Sequence, residues 1–196
     1  MTKQRAPMLE TPEPLGNLTY CLPMKSHKTI GVQRFRNPRT GKEFEFTMFV
    51  SDMDWASIVF PLTSNNEVIA INQFRCAKTS YILELPGGCP NSETETPEEV
   101  AARELLEETG YQAGDIVRLL PNTVWTDPAS TSHGNIYLSV ATDCTYIKMP
   151  QRDPLEFIET LVVSLENWLE MIRDGTVRDQ KSILATFLAI SRLFPA

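Results

Sequence analysis

Thr96-Pro97-Glu98-Glu99 at one end and Gly110 at the other bracket a helix in a chain whose remaining apolar runs read largely as strands. Thr96 suits the N-cap. Pro97 suits the first helical position, where a missing N–H is harmless, and Glu99 is placed to close a capping box back onto Thr96. The helix is predicted to run to Thr109 and to stop at Gly110.

Around this helix the period changes. Leu18 to Leu22, Lys28 to Arg36 and Phe44 to Val50, with Asn37-Pro38-Arg39-Thr40-Gly41 as turn chemistry, predict a hairpin with one buried face. Trp55 to Leu62 and Glu67 to Phe74 form a second strand-turn-strand unit about Thr63-Ser64-Asn65-Asn66. Ile136 to Ala141 and Ile158 to Ser164 read as strands. Leu165 to Arg173 and Asp179 to Leu193 read as helices divided by Asp174-Gly175, with Ile183, Leu184, Phe187, Leu188 and Phe194 toward the core. Residues 1–16, with Pro7, Pro12 and Pro14, are expected to be an extended arm. Strands mixed with a few helices, without regular βαβ alternation, imply an α/β or α+β fold with helices layered on a mixed sheet.

Composition narrows the partners. Asp and Glu number 25 against 18 Lys and Arg, a net charge of −7 with no basic run, so nucleic acid and anionic membrane surfaces are not expected partners. No apolar stretch approaches the about 18 residues of a bilayer span. Cys21, Cys76, Cys89 and Cys144 lack CxxC spacing and the N-terminus lacks a signal-like apolar run, which makes a reducing, cytoplasmic location the expectation. His27 and His133 are too isolated for a zinc site of the usual kinds.

The chemistry concentrates on the bracketed helix. Glu104, Glu107 and Glu108 stand at i, i+3 and i+4, which at about 100° per residue confines three carboxylates to a sector of roughly 100°. Such a stripe is either a solvated face or a cation site, and clustered hard oxygens suit Mg²⁺ or Mn²⁺. Arg103 can reach Glu107 at i+4 and hold it. Leu85-Pro86-Gly87-Gly88 precedes the helix, an ordinary turn or a place where a ligand approaches the main chain and a free carbonyl completes a metal site.

Together these residues resemble the Nudix hydrolase signature, G-x5-E-x7-R-E-U-x-E-E-x-G-U with U aliphatic or aromatic. Glu95, seven residues, then Arg103-Glu104-Leu105-Leu106-Glu107-Glu108-Thr109-Gly110-Tyr111 match without a gap, whereas six residues rather than five separate Gly88 from Glu95. Gln73-Phe74-Arg75, Glu84-Leu85-Pro86-Gly87-Gly88, Pro128 at 17 residues beyond Tyr111, and Glu156-Phe157-Ile158-Glu159 look like the ADP-ribose pyrophosphatase branch of that family. The resemblance covers about Leu18 to Leu193. It implies a Nudix fold, a mixed β-sheet sandwiched between helices, with an N-terminal antiparallel β extension over 17–52 that builds a homodimer, and a hydrolase domain over 53–196.

The implied activity is metal-dependent hydrolysis of a nucleoside diphosphate linked to another moiety, ADP-ribose giving AMP and ribose 5-phosphate, or another nucleotide sugar with a GDP or UDP group. A Nudix-fold module that binds nucleotide without hydrolysis is the alternative from a different class, and the complete acid stripe speaks against it. Gly87, Glu104, Glu107 and Glu108 are the implied metal set, with Glu107 and Glu108 catalytic and either Asp153 or Glu156 as general base. Arg75, Glu84, Pro128 and His133 are the expected substrate contacts. Thr131-Ser132-His133-Gly134 stands where many members of the branch carry an acid. Each has a plainer alternative: Glu84 as a strand-end carboxylate, His133 as a surface residue, Cys89 as a small buried residue, Trp125 and Phe74 as core rather than base-stacking rings, and Glu95 as an orienting residue of the loop.

Overall fold

The computed structural model describes residues 13–23, 28–51, 54–129, 134–152 and 155–195. Its contacts form two units, one of the residues up to Asp54 with Thr126–Gly134, the other of Trp55–Trp125 with the residues from Asn135 onward.

In the first unit β1 (Glu13–Pro23), β2 (Lys28–Arg36) and β3 (Glu43–Ser51) form an antiparallel sheet in that order. Strand begins at Glu13, inside the segment read as an arm, and residues 1–12 lie outside the described residues. Pro14 is tolerated because β1 is an edge strand, paired only with β2 among the described residues. The 37–41 turn forms as expected, with Asn37 Oδ1 accepting from the amides of Arg39 and Thr40 at 2.9 and 3.2 Å and Gly41 at φ +69°. The expected buried face does not form. Val50 is buried, but Phe44, Phe46 and Phe49 are all exposed, because among the described residues this unit has no second layer to cover its sheet.

The second unit holds β4 (Trp55–Pro61), β5 (Glu67–Arg75), β6 (Ser80–Glu84), β7 (Gly87–Gly88), α1 (Pro97–Thr109), β8 (Tyr111–Gln112), β9 (Asp115–Arg118), β10 (Val124–Trp125), β11 (Asn135–Thr142), β12 (Thr145–Tyr146), β13 (Ile158–Ser164), α2 (Leu165–Arg173) and α3 (Gln180–Leu193). One sheet runs β10-β11-β4-β7 with β9 also on β11, and another runs β13-β5-β6. The pairing of β4 with β11 is parallel and the rest is antiparallel, so the fold is mixed α/β. The second strand-turn-strand unit exists, but its strands diverge into different sheets and share only the bridge between Leu62 and Val68. β4 is covered on both faces: Ile58 and Phe60 join a core with Trp168, Ala185 and Ala189, while Val59 packs with Ala101 and Leu105 of α1. That explains its apolar run from Ile58 to Leu62.

The helices begin and end where expected. Thr96 and Glu99 complete the capping box, and Gly110 closes α1 at φ +80° with its amide on the Leu106 carbonyl. On α3 the expected core face holds in part, with Ile183 and Leu188 partly buried against the core. Leu184, Phe187 and Phe194 are exposed, and the helix buries the small residues Ser182, Ala185, Thr186 and Ala189 instead. Small side chains admit the indole of Trp168, whose Nε1 donates to Thr186 Oγ1 at 2.9 Å. Trp125, expected in the core, is 73% exposed on the short strand β10.

The fully buried Ser182 hydroxyl accepts the Leu85 amide at 2.8 Å and donates to the α3 N-cap carboxylate of Asp179 at 2.7 Å, tying the end of β6 to the last helix. S182A leaves that amide buried and unpaired, and is expected to destabilise the protein by about 1–3 kcal/mol, read as a lower urea midpoint at unchanged slope.

Candidate active site

α1 carries its acidic stripe against the Gly87-Gly88 strand. Glu108 is 3% exposed, and its Oε2 accepts the Gly87 amide at 3.0 Å. Burial, the nearby Glu104 carboxylate and Glu156 push its pKa up, to about 8, against the opposing pull of the Gly87 amide and Arg75. Glu104 is raised as well, by burial first, with Glu107 and Glu156 adding to it and Arg103 opposing.

Arg103 organises the rest of the stripe. Its guanidinium donates to Glu95 Oε1 and Glu104 Oε1, each at 2.8 Å, to Glu107 Oε2 at 3.1 Å, and to the Cys89 carbonyl at 2.8 Å. Desolvation draws its pKa down, but the carboxylates outweigh that and leave it above the ordinary value. The long loop closes as a turn, with Glu95 N–H on the Ser92 carbonyl and the Asn91 amide on Glu95 Oε2, so Glu95 reaches Arg103 despite the extra residue. Hydrogen bonding from Arg103 holds the Glu95 carboxyl below the usual range. Cys89 is exposed rather than buried.

The two loop glycines are needed for close approach rather than for an unusual backbone angle, since neither has positive φ. A Cβ on Gly87 would press on the Ser57 carbonyl and Ile58, and one on Gly88 would collide with the Glu104 carboxylate. The neighbouring Arg75 and Glu84 form a bidentate pair at 2.8 and 2.6 Å, with Glu84 buried and Arg75 partly exposed. Glu84 raises the Arg75 pKa despite desolvation, and Glu108 adds to the effect.

A NUDIX domain model matches residues 53–185. The chain belongs to the Nudix family. It is 30% identical over 131 residues to an ADP-ribose pyrophosphatase of Bacillus subtilis (strain 168), spanning 66% of this chain and 69% of that one. It is 27% identical over 136 residues to a GDP-mannose pyrophosphatase of Escherichia coli (strain K12), again 66% and 69% of the two chains. A crystal structure of an ADP compounds hydrolase superposes with a TM-score of 0.81 at 20% identity, covering 96% of this chain and 97% of that one, a likeness of fold. By class the chain is a Nudix pyrophosphohydrolase.

The expected site residues of this Nudix protein fall into three groups. Gly87, Glu104, Glu107 and Glu108 come together, with Arg75 and Glu84 beside them through the interaction of Arg75 with Glu108. Glu156 is exposed, and its charge reaches both Glu104 and Glu108. Pro128 is exposed and belongs to the first unit, while His133 and Asp153 lie outside the described residues. Reading the sequence missed Arg152, which donates from Nε to the Glu108 carbonyl at 2.9 Å and from Nη2 to Thr160 Oγ1 at 2.7 Å. Its partner on α1 is 44 positions away, so no local pattern marks it.

Nudix hydrolases as a family generally depend on a divalent metal. Among the described residues no three His, Cys, Asp or Glu side chains enclose an ion as they stand, because Arg103 holds oxygens of Glu104 and Glu107. The donor chemistry nevertheless fits a hard divalent cation. Glu108 is a buried carboxyl beside a second carboxylate, and a cation at that point would offset the burial and the repulsion that together raise both pKa values.

Without metal, Glu108 keeps its proton in the folded protein up to about pH 8, whereas the unfolded chain releases it near the ordinary glutamate value of 4.5. Unfolding is therefore favoured progressively as pH rises through that window. Melting temperatures of chelator-treated protein are expected to fall from pH 5 to pH 8.5, E108Q is expected to flatten the fall, and Mg²⁺ is expected to raise the wild-type value more at pH 8 than at pH 5. Calorimetry in matched buffers reads all three.

Proposed function

We propose that this protein hydrolyses the pyrophosphate of a nucleoside diphosphate linked to a sugar, with ADP-ribose giving AMP and ribose 5-phosphate. The buried Glu108, set against Glu104 and the Gly87 amide within a Nudix domain, is the observation that carries the reading. The similarity to the Bacillus subtilis ADP-ribose pyrophosphatase supports the substrate.

Glu104, Glu107, Glu108 and the Gly87 carbonyl are the groups to hold Mg²⁺, with Mn²⁺ as a substitute, and the bound ion supplies charge neutralisation on the pyrophosphate. Arg103 keeps the carboxylates in register. Glu84 holds Arg75 by a bidentate pair, leaving the exposed part of the guanidinium to meet phosphate oxygens. Water attacks one phosphorus, the bridging P–O bond breaks, and a carboxylate takes the water proton. Asp153 and Glu156 are both candidates for that base from the sequence, and the effect of Glu156 on Glu104 and Glu108 favours Glu156. The resemblance to the ADP-ribose pyrophosphatase branch supports His133 and Pro128 as further substrate contacts.

A GDP-sugar is the second reading, supported by the similarity to the Escherichia coli GDP-mannose pyrophosphatase and by the Thr131-Ser132-His133 departure. We further assign the protein to the cytoplasm as a homodimer built on its N-terminal sheet. No described helix is long and apolar enough to cross a membrane.

The test is to incubate purified protein with ADP-ribose, GDP-mannose or UDP-glucose and Mg²⁺, with an EDTA control, and to resolve the products by ion-exchange chromatography. AMP is expected to appear fastest, from ADP-ribose and only with metal. Faster release of GMP from GDP-mannose would move the assignment to the second reading. E108Q is expected to lower kcat/KM by more than about 100-fold, the upper end of what losing a group that merely supports a metal ligand costs; unchanged turnover would remove Glu108 from the site.

A further inference from the structure

The last turn of α1 contains no basic residue, so the negative end of its dipole and its terminal carbonyls are served from elsewhere in the chain. Three bonds reach them from the segment before β13 and from β13 itself. The Gln151 amide donates to the Glu107 carbonyl at 2.8 Å, and Arg152 Nε donates to the Glu108 carbonyl at 2.9 Å. Thr160 Oγ1 accepts from Arg152 Nη2 and donates to the same Glu108 carbonyl at 3.4 Å, using the second lone pair of that oxygen.

Arg152 and Thr160 thus meet on one main-chain atom of α1. That atom belongs to the residue whose side chain is the most buried acid of the stripe. A third tether runs from the Phe74 amide to the Phe157 carbonyl at 3.0 Å, next to Glu156. Glu156, four residues after Arg152 and four before Thr160, adjoins the tethered Phe157 and acts electrostatically on Glu104 and Glu108.

We propose that Arg152 and Thr160 are positioning residues that clasp the Glu108 carbonyl and thereby set Glu156 over the carboxylate stripe. This inference rests on the hydrolase reading and on Glu156 as the base. Arg152 touches no reacting group. Its effect passes through the Glu108 carbonyl on one side and Thr160 of β13 on the other, so a guanidinium with two directed donors is required and a lysine does not replace it.

The experiment compares R152A, R152K, T160V and T160S in the wild-type and E156Q backgrounds, with ADP-ribose turnover and backbone amide exchange of residues 155–160 as readouts. R152A and T160V are expected to lower kcat about 10- to 100-fold with KM little changed, the scale on which a misplacement of about 1 Å acts. T160S retains the hydroxyl and is expected to stay near wild type. In E156Q the further loss from R152A or T160V is expected to shrink to less than about twofold, because a group acting through Glu156 has nothing left to position. Exchange over 155–160 is expected to rise in R152A and T160V while α3 stays protected. A loss of the same factor in both backgrounds, or unchanged exchange at 155–160 in both variants, would overturn the clasp; T160V and R152K decide it if R152A does not fold. Inactivity of the wild-type protein on every nucleotide sugar would refute the hydrolase reading and with it the assignment of Glu156, and amide exchange would then decide by itself whether the clasp holds residues 155–160.

Discussion

The site depends on one guanidinium. Three carboxylates crowded onto a single helix face repel one another, and a helix formed for its packing alone would turn such a face to water. Arg103 removes the need. It spans Glu95 before the helix and Glu104 and Glu107 on it, and takes the Cys89 carbonyl besides, so the loop and the helix become one charge-compensated body. Glu108 lies beyond its reach in the structure and is left buried with a single amide donor, the Gly87 N–H. The repulsion that Arg103 does not neutralise is concentrated there, at the point where a cation would be most strongly held.

Packing explains why the arrangement keeps its shape. β4 is sealed on both faces, by α1 on one and by α2 and α3 on the other, and β7 is pressed against it so closely that only glycine fits at position 87. Gly88 yields its side-chain volume to the Glu104 carboxylate. Backbone strain has no part in this, since neither glycine has positive φ. What they contribute is nearness between a strand and an acidic helix.

Much of this was legible because its causes are local. The Thr96, Pro97, Glu99 and Gly110 signals act within one turn of the chain, and α1 begins and ends where they place it. The spacing of Glu95, Arg103, Glu104, Glu107 and Glu108 identified the family for the same reason. Failures came where a distant partner decides. Phe44, Phe46 and Phe49 belong to a run that alternates as though one face were covered, yet the described residues of their own unit supply no covering layer. On α3, Leu184 and Phe187 carry the apolar signal, but contact with Trp168 selects the small face. Arg152 and the Asp179-Ser182-Leu85 connection join elements far apart in sequence through single polar atoms, which leave no periodic trace.

The parallel pairing of β4 with β11 sets Trp55 against Asn135, residues 80 positions apart, and encloses both the glycine strand and the whole of α1 within one large closure. Helix α1 has what it needs to form early, being capped at both ends and carrying Arg103 for Glu104 and Glu107, but Glu108 gains its donor only from outside it, from Gly87 inside the closure, and Glu156 lies beyond it. Loop-closure entropy must be met before those contacts exist. The chemistry therefore appears only in a chain that has completed this long-range closure, and a partly folded form that already contains the helix would still bear no working centre.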